Sequence, residues 1–261
     1  MSAALVHCRR VLAAALVLCA APAFADEPIS TDRPDFVESS ATVGAGHVQL
    51  ETSVAWERTR AAGLATTTWT TPTLLRIGAG TQWEFRVETD GWQRTHVGGD
   101  GTASGFSDLA LGVKYHIAMT GPGGASMAWL VHADLPSGAR AVRGEGVRPS
   151  LRLSAEWDLP HDNGIGIMPG VIHDTDDAGR RFDAGILAVT FGHAWSPRMR
   201  TFVEVAGEQF ASQKHGGNIV TFDTGATWLL NDDTQVDVAG SFGLTGAAPD
   251  EALTVGWSHR W

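Results

Sequence analysis

Residues 82–90 read QWEFRVETD. Trp83, Phe85, Val87 and Thr89 alternate with Gln82, Glu84, Arg86, Glu88 and Asp90, so an extended chain puts one set on an apolar face and the other on a charged face. A helix would mix the two sets. The same period runs outward in both directions. In HVQLETSVAWE (47–57), Val48, Leu50, Val54 and Trp56 oppose Gln49, Glu51, Ser53 and Glu57. In LALGVKYHI (109–117), Leu109, Leu111, Val113, Tyr115 and Ile117 oppose Ala110, Gly112, Lys114 and His116.

Comparable segments follow: TTTWTTPTLLRIG, MAWLVHADL, SLRLSAEWDL, GIGIMPGVI, DAGILAVTFGHAW, RTFVEVAGEQF, IVTFDTGATWLL, TQVDVAGSFGL and LTVGWSHRW. Together they predict about 12 strands, most of roughly the 9 to 11 residues that a tilted membrane strand needs. The segments between Ile165 and Trp195 alternate least cleanly. Short turns (GAGT, TGPGGA, PHDNG, SPR, NDD) alternate with longer polar connections (DGWQRTHVGGDGTASG, PSGARAVRGEGV, HDTDDAGRR, EQFASQKHGGN, GLTGAAPDE). That asymmetry predicts an all-β, antiparallel transmembrane barrel over residues 47–261, with short periplasmic turns and longer extracellular loops. A soluble barrel or sandwich would bury the apolar faces inward, as about 8 strands do. Twelve long strands would enclose too wide a core for that. Lipid on the apolar face and charge in the lumen resolve the difficulty.

The N-terminus, MSAALVHCRRVLAAALVLCAAPAFA, has Arg9 and Arg10, an apolar stretch from Val11 to Ala21, and the small-x-small site Ala23, Phe24, Ala25. Residues 1–25 therefore read as a signal peptide, removed on export through the periplasm to a Gram-negative outer membrane, with Asp26 starting the mature chain. The apolar stretch is shorter than the about 20 residues of a membrane helix. Cys8 and Cys19 both lie in that leader, which excludes disulfide and thiol chemistry from the mature chain. The full chain carries 19 basic and 29 acidic residues, a net charge of -10; losing Arg9 and Arg10 leaves 17 against 29, or -12. Such a balance argues against nucleic acid as a partner. The expected partners are outer-membrane lipid, the outer-membrane assembly machinery and an unidentified small solute. For the assembly machinery the C-terminal strand supplies the signal: Leu253, Val255, Trp257, His259 and Trp261 share one face, an alternating pattern with a terminal aromatic that resembles the outer-membrane sorting signal, in which Trp257 and Trp261 are the key residues.

The mature N-terminus, ISTDRPDFVESSATVGAGHVQLE, carries Thr31, Asp32, Arg33, Pro34, Asp35, Gly46, Gln49, Leu50 and Glu51. Further on stand GFSDLALGVKY, with Gly105, Asp108, Gly112, Lys114 and Tyr115, and ADLPSG, with Asp134, Leu135, Pro136 and Gly138. In these stretches the chain resembles the outer-membrane barrel family labelled "putative MetA-pathway of phenol degradation". The resemblance spans essentially the whole mature chain and implies an outer-membrane transporter, with aromatic or other small organic compounds as the solute class.

Inward-facing candidates to line the lumen are Glu84, Arg86, Glu88, Lys114, His116, His132, Asp134, Arg152, Glu156, Asp223 and Asp237. Their mixed signs fit two readings: a narrow pore favouring cations or polar neutral solutes, or an interior packed with ion pairs. Residues 26–46 precede the barrel as a periplasmic segment, and Asp32, Arg33 and Asp35 make it a candidate lumen plug or gate, with Arg33 expected to pair an inward carboxylate. The expected function is passive passage of small solutes. A non-conducting structural or adhesive barrel is the alternative, and a barrel-type lipid hydrolase or acyltransferase the third. His132 and Asp134 with Ser126 or Ser137 suggest a triad, but no G-x-S-x-G elbow accompanies them. HDTDDAGRR lacks the distant glutamate of a calcium loop, and no Walker, metal-cluster or dinucleotide motif occurs, so neither an enzyme nor a cofactor is expected.

Overall fold

The computed structural model describes residues 27–61, 63–117, 124–176 and 178–261. The expected leader over residues 1–25, most of the TGPGGA turn, and Asp177 lie outside the described residues. The strand segments are β1 (Val48–Ala61), β2 (Leu64–Thr70), β3 (Thr73–Ala79), β4 (Trp83–Thr89), β5 (Trp92–Val97), β6 (Gly101–Phe106), β7 (Leu109–Ile117), β8 (Ser126–Leu135), β9 (Arg148–Leu159), β10 (Asn163–Thr175), β11 (Arg181–Ser196), β12 (Met199–Phe210), β13 (Ile219–Asn231), β14 (Thr234–Gly243) and β15 (Glu251–Arg260).

Every pairing is antiparallel, and β15 closes onto β1 from Gln49↔Arg260 to Arg58↔Glu251. The 15 segments make a 12-stranded wall because β2 with β3, β4 with β5, and β6 with β7 are each one wall strand broken once. The three breaks, at Thr71-Pro72, Asp90-Gly91 and Ser107-Asp108, sit side by side: Thr71 N donates to Asp90 O at 3.0 Å and Ser107 N to Gly91 O at 2.8 Å. Proline removes a ladder donor, while the extra residues at the other two breaks act as bulges and invert which parity faces outward. Trp83 and Phe85 point out on β4, but Trp92 does so on β5.

This corrects the reading of residues 90–105 as a loop. They form the upper part of two wall strands, β5 and β6, which extend past the end of β8, since β7 meets β8 only up to Leu109↔Leu135. The β12 strand likewise runs through Glu208 to Phe210, beyond the expected start of its loop.

Outward faces are apolar across the wall, with Val54, Phe85, Leu111, Val131, Leu187, Val203 and Val255 all exposed. Exposed tryptophans gather toward the short-turn end: Trp83, Trp129, Trp195, Trp228, Trp257 and Trp261. Trp69, Trp92 and Phe106 mark the opposite end, where Trp92 meets Phe106 edge-on at 5.2 Å. At about 3.3 Å per residue and a tilt of about 40°, the run from Phe106 to Tyr115 spans roughly 23 Å, close to the roughly 25 Å apolar band of outer-membrane barrels. The wall therefore carries a lipid-facing belt between two aromatic girdles.

Candidate functional site

The chain from Ile29 to Val43 lies inside the wall. Ile29 N donates to Asp232 O at 2.7 Å in the short turn after β13, and Val48 pairs with Trp261 at the same end, so the segment enters and leaves by the short-turn end. Its buried residues are Ile29, Asp32, Val37, Glu38, Ser40 and Val43. On the way out it crosses Gly78 so closely that a β-carbon there would stand 1.6 Å from Gly44 O, which is why β3 carries glycine at that point.

A segment without a β partner must satisfy its backbone donors otherwise. Wall glutamates do this. Glu51 accepts Asp32 N at 3.0 Å, Glu156 accepts Ser40 N at 2.6 Å, Glu84 accepts Val43 N at 3.0 Å, and Glu204 accepts Phe36 N at 2.7 Å and Val37 N at 2.9 Å.

Register then explains the ion pairs. Arg76 on β3 stands directly opposite Arg86 on β4, and like charges in that position repel. Arg76 reaches Glu84 at 2.8 Å and Glu51 at 2.9 Å. Arg86 bonds Asp32 and reaches Glu38 at 2.5 Å; Lys114 Nζ reaches Asp32 at 2.8 Å, and Arg152 reaches Glu38 at 2.9 Å. Four cations thus face four carboxylates, two of which, Asp32 and Glu38, come from the segment. Without the segment the wall would hold these four cations, three of them buried, against two carboxylates. Burial alone would push both acids up, but Arg76, Lys114 and Arg86 hold Asp32 well below the usual carboxylate range, and Arg86 lowers Glu38.

Against β10 to β12 the same segment packs on apolar side chains: Val37 meets Met168, Ala188 and Ala206, with Phe36 beside them. Arg152 stacks over the Phe36 ring at 5.8 Å. The inward face of β11 is largely apolar here, with Phe182, Ala184, Ile186 and Ala188 buried and Leu187, Val189 and Phe191 facing out. A strand covered on both faces cannot alternate.

Above the segment a cavity of about 420 Å³ occupies the lumen. Its floor is Arg33 to Phe36, and its walls include Glu57, Glu88, Glu208 and Asp223 among small and apolar residues. Of the sequence-derived candidates, Glu84, Arg86, Lys114 and Arg152 join the ion-pair cluster; His116 donates to Ser40 O at 2.9 Å, and Glu156 meets the same residue. Glu88 and Asp223 line the cavity, Asp134 lies 3.8 Å from Arg148, and His132 and Asp237 are buried in the wall's inner face. In the segment, Asp32 is central and Asp35 reaches Arg200 at 3.2 Å, whereas Arg33 makes no carboxylate pair among the described residues and donates to Ser53 Oγ at 3.0 Å. The expected role of Arg33 as the pairing residue passes to Asp32 and Glu38, because the segment's tip turns Arg33 toward the hydroxyl-lined β1.

Arg76, Glu51, Glu57 and Glu208 complete the site without having been singled out as candidates. Arg76 was hidden because Leu74 beside it is also inward and buried, so LLRI shows no alternation. The triad geometry does not form. Ser126 bonds Ser40 at 2.7 Å, Ser137 bonds Leu109 N at 3.0 Å, and among the described residues no hydrogen bond joins His132 to either. The acids of HDTDDAGRR are held by the chain's own groups: Asp176 accepts from Arg180 and from His215 at 2.8 Å, and Asp174 lies 3.6 Å from Arg148.

Comparison with solved structures finds the KdgM porin, with a TM-score of 0.51 at 8% identity over 81% of this chain and 98% of that one. The KdgM porin in complex with disordered oligogalacturonate gives 0.51 at 6% identity, over 82% and 98%. At these identities the likeness establishes the fold, that of an outer-membrane porin barrel. No curated protein matches the chain. Residues 31–261 match the family described as "Putative MetA-pathway of phenol degradation", and the match begins within the segment that fills the lumen. The chain belongs to that family.

Proposed function

We propose that the protein is an outer-membrane channel for passive passage of small solutes, with residues 26–46 acting as a plug that narrows the short-turn half of the lumen. The observation that carries this reading is the 420 Å³ cavity inside a wall of lipid-facing strands, floored by the plug's own tip. A cavity of that size suits one small molecule. The family description supports aromatic or other small organic compounds as the solute class. In this reading the leader over residues 1–25 directs export through the periplasm of a Gram-negative cell, assembly machinery inserts the barrel, and the chain performs no catalysis. The candidate lumen residues act by holding the plug or lining the path.

Planar-bilayer recording of the native protein and of the double variant Asp32→Ala/Glu38→Ala tests it. Discrete current steps are expected, larger in the variant because its plug is no longer held. Silence from both, with unheated protein still migrating as a compact barrel, would instead establish the non-conducting structural or adhesive reading.

A further inference from the structure

The plug is held unevenly. It bonds to β1, β3, β4, β7, β9 and β12, but along β14 and β15 its side-chain hydrogen bonds are two, Gln235 Nε2 to Thr31 Oγ1 at 2.8 Å and, at the short-turn end, Arg260 Nη2 to Glu27 O at 2.9 Å. On that side the inward residues of β15 from Ala252 to Ser258 are Ala252, Thr254, Gly256 and Ser258, all small; Ala252 and Thr254 already line the cavity, and Arg260 ends the row, engaged by Asp233 at 2.8 Å. Directly below them, Ser53, Gly256 and Asp237 form one row across β1, β15 and β14. Asp237 leans over Gly256, where a β-carbon would stand 2.4 Å from its Oδ1.

Asp237 is only 3% exposed, and among the described residues neither of its carboxylate oxygens has a hydrogen-bond partner. Neighbouring Ser258 Oγ is also buried without one. A buried carboxylate left in that state is costly unless something cationic meets it. The charged groups facing it are Arg33, Glu51 and Asp35. Arg33 bonds Ser53, Glu51 is engaged by Arg76, and Asp35 by Arg200, so none of the three completes Asp237. Above the row, Glu57, Glu88 and Glu208 line the cavity with no cation partner among the described residues, while Arg86 and Arg152 are both engaged by Glu38.

We infer that a route for small monovalent cations skirts the seated plug along the inner face of β14 and β15, from the cavity's carboxylates to a cation-binding position at Asp237 and Ser258. This rests on the channel reading and adds to it a path, a selectivity and the residue that sets it. Aligned carboxylates along a narrow path select cations and exclude anions. The missing side chain at Gly256 makes room for the Asp237 carboxylate on this row, and Ser258 offers a second oxygen one step further toward the short-turn end.

The test is the reversal potential of the native full-length protein under a KCl gradient, compared with Asp237→Asn and Gly256→Leu. Asp237→Asn keeps the shape and breaks no contact, so the barrel should fold normally. The inference expects K⁺-selective native current, a several-fold fall in the K⁺/Cl⁻ permeability ratio toward unity in Asp237→Asn, and reduced conductance in Gly256→Leu. Native current that is unchanged in both variants overturns the route and leaves the channel reading standing. A silent native protein beside a conducting Asp32→Ala/Glu38→Ala variant also overturns the route, since nothing then passes the seated plug. Silence in both overturns the route and the channel reading together.

Discussion

Two parts of the wall hold the same plug by different physics. On β3, β4, β7 and β9, charged side chains close over Asp32 and Glu38. On β10 to β12, Met168, Ala188 and Ala206 receive Val37, and Glu204 alone contributes a carboxylate. The charged half fixes position, because a buried ion must find its partner within hydrogen-bond reach or bear most of its desolvation cost. The apolar half tolerates small shifts, since dispersion and burial are not directional. An inward strand face need be polar only where it meets water. Where it meets folded chain it follows the rules of a protein core.

The largest expected effect comes from breaking the charged half. Asp32→Ala leaves Arg76, Arg86 and Lys114 buried with one carboxylate fewer, which should weaken docking of the plug by about 3–5 kcal/mol. Hydrogen exchange at the amides of residues 30–43 should accelerate while wall amides stay protected. Equal protection in the two proteins would show that the apolar half suffices. A smaller effect is expected from Met168→Ala, which opens a void against Val37 and should cost about 2–3 kcal/mol. Its exchange pattern should differ, with Phe36 to Glu38 released first and Asp32 still protected; a uniform loss would mean that the two halves do not act separately.

The smallest effect within ordinary conditions is that of pH. Asp32 and Glu38 both have folded pKa values depressed below their unfolded ones. Their contribution is therefore fully present above the unfolded carboxylate value of about 4 and is lost only as pH falls through the depressed folded values. Plug protection should be flat from neutral pH down to about pH 4 and decline below it. A midpoint near pH 6 would assign the latch to other groups.

How far the sequence revealed these regions follows the same division. QWEFRVETD and LALGVKYHI have one face in lipid and one on charge, so period 2 was plain and Glu84, Arg86 and Lys114 were named from it. Residues 183–195 read poorly because both faces of β11 are apolar. WQRTHV and GTASGF were missed as strands because bulges reverse the phase, and because they rise past the girdle where no lipid demands an apolar face. Asp32 and Arg33 were flagged together, and only the folded chain distinguishes them.

Alternation, connection lengths and family motifs were enough to determine a 12-stranded membrane barrel, because each strand's pattern is a local response to lipid on one side. Partners within the lumen were decided by the tertiary structure alone. Asp32 meets Lys114, Glu204 meets Phe36, and Asp237 meets no partner among the described residues, through barrel shear and the path of a segment that enters from one end. Those contacts join residues far apart in the chain, and their geometry exists only once the wall has closed.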